Sequence, residues 1–293
     1  MAQGPRVAPR LAVGVIGAGR VGAPLAAALA RSGHPLVGAH AVSARSRRRV
    51  AEFLPGTPLM STEEVMAAAD LVLLTVPDDV LGALVAGLAD TGAVTPGQFL
   101  VHASGRYGVG ILEPATRLGA LPMALHPVMT FTGSRADIER LAGCPFGVTA
   151  PLVLRPVAEA LVVEMGGEPV WVPEAARPLY HAALANGANH LVTLIAQTLD
   201  LLTTAGIEDP PQLVRPLLSA ALDNVLRMGD EALTGPVARG DARTVAAHLA
   251  ALSAAAPEAR AAYVAMARLT ADRALAAGRL DPAAAEALLD VLG

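Results

Sequence analysis

Three glycines, Gly17, Gly19 and Gly22, stand in the spacing G-x-G-x-x-G directly after the apolar run Leu11 to Ile16 and at the opening of a helical pattern. That context restricts the local fold severely. The run has strand length, the pattern Val21 to Ser32 is helical and stops at Gly33, and Leu36 to Val42 reads as a second strand, which completes a strand–helix–strand unit. The alternation continues. Ser61-Thr62-Glu63-Glu64 offers an N-cap and an acidic first turn for a helix reaching Ala69, and the buried strand Leu71 to Val76 follows, stopped by Pro77-Asp78-Asp79. A helix over Val80 to Leu88, strands at Phe99 to Ala103, Ala120 to Leu125 and Phe146 to Thr149, the helix Leu154 to Met165 and the strand Pro169 to Val172 extend it. Strands interleaved with helices predict an α/β fold: a Rossmann-type, doubly wound, mostly parallel sheet. After Pro173 the texture becomes helical throughout, with helices expected over 176–205, 212–228, 243–252, 257–277 and 282–292. The expected organisation is a loose tail over 1–10, a Rossmann domain over 11–173 and an all-helical domain over 174–293.

Bulk properties narrow the partners. A chain of 293 residues exceeds the usual size of one core, and 53% hydrophobic against 16% charged residues argues against disorder. The net charge of −4 and 3% aromatic content lack the basic excess and the stacking platforms that nucleic acid requires. No run of 18 apolar residues occurs and no export signal is recognised, so a cytoplasmic protein without membrane contact is expected. The single cysteine, Cys144, reads as a buried packing residue, and the chain contains no lysine, which removes one class of catalytic group.

The glycine turn points to a dinucleotide. In such a turn the first glycine permits the tight bend, the second admits a pyrophosphate against the backbone, and the third lets helix and strand pack closely. Gly17, Ala18, Gly19, Arg20, Val21 and Gly22 are therefore the expected diphosphate cradle, with the free amides of the helix start facing the charge. An NAD site usually places Asp or Glu at the end of the second strand. Here the chain reads Ser43-Ala44-Arg45-Ser46-Arg47-Arg48-Arg49, whose hydroxyl and guanidinium groups suit a 2′-phosphate, so NADP(H) is the expected cofactor with Ser43 and Arg45 in contact. Val76, Pro77 and Asp78 should shape the cofactor rim, though the two acids after Pro77 also suit a plain turn.

Hydride transfer asks the protein to hold a carbon near the nicotinamide, polarise its oxygen or nitrogen, and handle one proton. His102-Ala103-Ser104-Gly105 and Leu125-His126-Pro127 fall at expected strand ends on the cofactor side and carry suitable groups. The spacing of His102, His181, Asn186 and His190 gives no three-ligand metal set, so no metal is expected. His34 and His40 read as structural.

Together GVIGAGRVGAPLAAAL, LVLLTVPDD, VHASG, ALHPVMTF, LYHAALANGANHLVTL and TGPVARGD resemble the 6-phosphogluconate-dehydrogenase-like reductases, and within them a bacterial family of Rossmann-like proteins with a C-terminal domain of unknown function. The resemblance spans nearly the whole chain. Prephenate dehydrogenases, a related branch, carry a catalytic Ser and a His in an HP motif where Ser104 and His126 stand. Other branches, hydroxyisobutyrate dehydrogenases among them, place a Lys and an Asn on the first long interdomain helix. The lysine is missing here, and the resemblance shifts that role toward His126, His181 and Asn189. Asn186 shares a helix face with Asn189, and Arg239 in the TGPVARGD loop matches a substrate-pocket loop of related dimers, where a guanidinium fork suits a carboxylate. The resemblance thus implies a homodimeric, NADP(H)-dependent oxidoreductase of a small 2-oxo or imino carboxylate, with ketopantoate as first guess. A prephenate-dehydrogenase-like oxidation is one alternative. A non-catalytic NADP(H) sensor, suggested by the absent lysine, is the other.

Overall fold

A computed structural model describes residues 10–293. The tail expected over 1–10 lies outside the described residues except for Arg10, whose guanidinium pairs with Glu164. The chain divides into two compact units, one ending at Ala185 and the other running from Asn186 to Gly293.

The first unit is built, in chain order, from β1 (Val13–Ile16), α1 (Gly22–Arg31), β2 (Leu36–His40), α2 (Ala44–Phe53), α3 (Thr62–Ala68), β3 (Leu71–Leu74), α4 (Asp78–Asp90), β4 (Phe99–His102), α5 (Glu113–Thr116), β5 (Leu121–Pro127), α6 (Ala136–Glu139), β6 (Pro145–Thr149), α7 (Arg155–Glu164) and β7 (Glu168–Trp171). The division between the units falls within the next helix, α8 (Arg177–Thr204).

The strands form one seven-stranded sheet in the order β2-β1-β3-β4-β5-β6-β7. Every neighbouring pair is parallel except β5 with β6. Period-two alternation divides the core between two faces. Val13, Val15, Leu71, Leu73, Val101 and Met123 pack with Leu25 and Leu29 of α1, whereas Ile16, Val72, Leu74 and Leu100 pack with Val65 of α3 and with Leu81 and Val85 of α4. With helices on both faces, β1 and β3 are buried along their whole length.

Successive strands are added on one side of β1 up to β2 and on its other side from β3 onward, which opens a crevice at the carboxyl ends of β1 and β3. Register lines up Ile16 with His40 and Leu74, Leu74 with His102, and His102 with Ala124, so the residues after each strand emerge along one edge. Two strands are shorter than the sequence suggests. β2 stops at His40 rather than Val42 and β3 at Leu74 rather than Val76, because the apolar residues beyond leave the ladder and line this crevice.

In the second unit, α9 (Pro210–Met228), α10 (Gly235–Ala238), α11 (Ala242–Ala255), α12 (Pro257–Ala276) and α13 (Pro282–Leu292) follow the remainder of α8. Val245, Leu249, Ala271, Ala274, Leu288 and Leu292 form the core of α11, α12 and α13. Asp209, Asp241 and Asp281 cap α9, α11 and α13 through their carboxylates. α9 therefore begins two residues earlier than its apolar pattern suggests, since a cap followed by proline is a strong start signal. Among the described residues no helix is long and apolar enough to cross a membrane.

Candidate functional site

The glycine turn sits at the crevice, and its three glycines answer to different constraints. Gly17 has φ +93°, a backbone state that side chains disfavour, and a Cβ there would meet the Thr75 backbone at 2.8 Å. At Gly22 a Cβ would stand 2.1 Å from Thr75 Oγ1, so this glycine lets α1 approach β3. At Gly19 the nearest atom would be 3.8 Å away. Nothing inside the protein requires a glycine there, as expected where a ligand must touch the backbone. The adjacent amides of Arg20 and Val21 have no hydrogen-bond acceptor among the described residues, leaving donors at the opening of α1.

A cleft of about 460 Å³ runs from this turn over the end of β2; Gly17, Ala18, Gly19, Ser43, Val76 and Pro77 line it, as do His40, Ser46, Thr62 and Thr75. Its size and largely apolar walls suit a nucleoside. Ser43 has a second duty, since its Oγ accepts the Ser46 amide at 3.0 Å and caps α2. Arg45 is exposed on the first turn of α2 and, like Arg20, lines no part of this cleft. None of Arg20, Arg45, Arg47, Arg48 and Arg49 pairs with a carboxylate among the described residues. His40 is structural in that Nδ1 lies 3.0 Å from the Met60 carbonyl, yet it also faces the cleft. A smaller cleft of about 150 Å³ continues along the strand ends, bounded by Val21, Val76, Pro77, Asp78 and, at its far side, Ala103 and Ser104.

Beyond Ser104 lies a polar cluster. His102 is fully buried; its Nε2 donates to the Gly108 carbonyl at 2.8 Å and its Nδ1 accepts the Ser104 amide at 3.2 Å, which is one neutral tautomer, and burial pushes its pKa down to about 4. Ser104 Oγ accepts the amides of Arg106 and Tyr107 at 3.2 and 3.3 Å and so holds the loop after β4, with its own proton left to donate. His126, part-buried at the end of β5, has Nδ1 2.9 Å from the Tyr180 hydroxyl and packs edge-on against His181 at 6.1 Å between ring centroids. Burial first, then Arg177 and the neighbouring histidines, hold the His126 pKa near 4. The imidazole is neutral at physiological pH. The two rings close over Gly105, where a Cβ would stand 2.7 Å from His181 and 2.9 Å from His126, so the glycine makes room for them.

Arg177, the first residue of α8, lies beneath this cluster with no exposed surface. It donates to Thr149 Oγ1 at 2.8 Å and to the carbonyls of Ser104, Ala124 and Gly147 at 3.2, 3.0 and 2.9 Å, tying the loop after β4 to β5 and β6. Sequence reading did not single out Arg177, Tyr180, Thr149 or Gly105. An arginine among prolines at a helix start carries no local mark of burial. The pattern Tyr180-His181 was the available signal, and only His181 was taken from it.

Asn186, Asn189, His190 and Arg239 belong to the second unit. Within it His190 Nδ1 lies 2.8 Å from Asn186 Oδ1, both residues are exposed, and Arg239 is exposed with no carboxylate partner among the described residues. Cys144 is buried with its thiol pKa raised by that burial, as a packing residue should be. Among the described residues no group of three or more His, Cys, Asp or Glu converges on a common point.

The fold and the glycine-lined crevice define a class: a Rossmann-like α/β domain followed by a helical domain. Residues 3–127 match the model of a Rossmann-like domain and residues 144–270 match that of a domain of unknown function, DUF2520. The chain thus joins a Rossmann-like domain to a DUF2520 domain, and its polar cluster draws on both matched segments, Ser104 and His126 from the first and Arg177, Tyr180 and His181 from the second. Solved structures similar to it include a candidate NADP oxidoreductase of Bacteroides fragilis, with 21% identity over 90% of this chain and 98% of that one and a TM-score of 0.74. A reductive aminase of Aspergillus terreus in complex with NADPH and ethyl levulinate has 17% identity over 96% and 99% of the two chains and a TM-score of 0.61. Plasmodium falciparum pyrroline carboxylate reductase with NADP bound has 13% identity over 97% and 98% and a TM-score of 0.57. A search among curated proteins found no match.

Proposed function

We propose that the protein is an NADP(H)-dependent oxidoreductase that reduces a small 2-oxo or imino carboxylate. The observation that carries the reading is the open position at Gly19 beside unpaired amides at the start of α1, a cradle with no internal reason to exist. The structural relatives named above, two of them holding NADP or NADPH, support the same cofactor. Ser43 and Ser46 at the cleft, with the unpaired guanidinium groups of α2 beyond them, favour a 2′-phosphate. When bound, the nicotinamide nucleotide supplies or accepts the hydride.

The chain's own groups then act on the other reactant. Ser104 marks the far side of the smaller cleft and donates its hydroxyl proton as a hydrogen bond. With Tyr180 O–H donating to Nδ1, His126 carries its hydrogen on Nε2. A neutral imidazole of low pKa polarises an oxygen by hydrogen bonding, and the proton that completes the alcohol comes ultimately from solvent. His181 packs edge-on against His126 and closes that side of the cluster.

Calorimetric titration with NADPH and NADH tests the cofactor, and tighter binding of NADH defeats the assignment. Oxidation of NADPH across a panel of 2-oxo and imino acids, ketopantoate first, tests the reaction. Binding without oxidation of NADPH by any member turns the reading toward a sensor.

A further inference from the structure

Among the described residues no carboxylate lies within ion-pair distance of the buried charge of Arg177. All four of its hydrogen bonds end on neutral acceptors, three carbonyls and one hydroxyl, although the guanidinium has no exposed surface. A guanidinium stays protonated in proteins, so a positive charge is locked behind Ser104 in a medium of low dielectric. Two acids lie in the neighbourhood and neither forms an ion pair with it. Glu174 acts on Arg177 only through space while its carboxylate accepts the amides of Val109 and Gly110 at 2.8 and 3.0 Å, and Asp78 lines the smaller cleft on the side of β3. The charged or chargeable groups that act on His126 are Arg177, His181 and His102, none of them acidic.

A buried ion lacking a partner is costly unless something supplies one. We infer that the compensating charge comes with the substrate: the centre formed by Ser104, His126 and Arg177 accepts anionic oxo acids and disfavours iminium ions. This rests on the reductase reading and decides between its two substrate classes. In reduction of a carbonyl the hydride arrives at carbon from the reduced nicotinamide nucleotide, which is oxidised, and the C=O pair moves onto oxygen. The oxygen then takes a proton. Negative charge therefore develops next to a fixed positive one, the arrangement that lowers a barrier. An iminium brings a positive charge of its own and loses it on reduction, so the same field opposes its entry. Arg177 acts through Ser104, whose carbonyl it binds, and through Tyr180, over whose ring its guanidinium lies at 5.7 Å, as a positioning residue and a source of field.

The test uses three ligands of one carbon number at pH 6, titrated into the NADPH-loaded protein: a 2-oxo acid, the cyclic 2-imino acid with both charges, and the cyclic iminium without a carboxylate. Affinity is expected to fall in that order, by at least about tenfold from first to last. In Arg177→Met the spread shrinks to about threefold or less, whereas Arg177→Lys keeps it even where turnover drops. Equal or reversed affinities in the unmutated protein overturn the inference, as does failure of the oxo acid to bind or an unchanged order in a folded Arg177→Met. Should that variant not fold, the order in the unmutated protein decides. Failure to bind NADPH refutes the reductase reading instead, and the same titration without nucleotide then judges the charge preference alone.

Discussion

Gly19 and Gly22 lie three residues apart, and a methyl group separates their roles. At Gly22 the added carbon collides with Thr75, so Gly22→Ala is expected to lower Tm by several degrees in the nucleotide-free protein. At Gly19 there is room, so Gly19→Ala keeps the nucleotide-free Tm within about one degree yet weakens NADPH binding by about tenfold or more. Differential scanning with and without NADPH separates the two, and equal effects of the substitutions would sink the distinction. Replacing His126 by Ala is expected to cut turnover by about a hundredfold while NADPH binding persists. The imidazoles of His102 and His126 also set a pH dependence. Burial lowers both from 6.5 to about 4, so between those values the unfolded chain binds protons that the folded one refuses. Stability is full above about pH 6.5 and falls as the pH drops toward 4, by an amount on the order of 3 kcal/mol for fully buried His102. Urea midpoints measured across this window should decline, and less so in His102→Asn.

Among the elements, α3 is short and depends on its start. Ser61 Oγ accepts the Glu64 amide at 3.2 Å while the Glu64 carboxylate accepts the Ser61 amide at 2.8 Å, a reciprocal capping box that the sequence Ser61-Thr62-Glu63-Glu64 foreshadows. Ser61→Ala should cost about 1 kcal/mol in urea denaturation, and a change within error would show that packing of Val65 and Met66 alone holds the helix. Helices α8 and α9 differ from the rest. Arg177 is the only residue of α8 that is buried, and α9 buries only Pro210 and Val214 while Leu217, Leu222 and Leu226 are 69%, 49% and 78% exposed. Apolar surface of this extent is what a dimer interface would cover. For the homodimer that the family resemblance implies, light scattering at micromolar concentration should return twice the 29.7 kDa chain mass, and a monomer would contradict it.

At the scale of the whole molecule, the Rossmann sheet was legible because each of its parts has a local signature: glycines at fixed spacing, apolar runs of strand length, and caps such as Ser61. The glycine turn of the candidate site was legible for the same reason, since Gly17 to Gly22 is one contiguous segment. The reacting side was only half visible. Ser104 and His126 could be placed because they lie at the ends of strands that must share an edge, but Arg177 and Tyr180 reach them from residues far along the chain.

Sequence alone was enough for the layered architecture, for the glycine turn between β1 and α1 and for the absence of lysine, because periodicity, turn chemistry and composition act within a few residues of the chain. Tertiary structure decided which polar groups lose their water. Burial keeps His102 and His126 neutral and leaves Arg177 charged among neutral acceptors, and desolvation depends on everything that packs around a group, which no local pattern encodes.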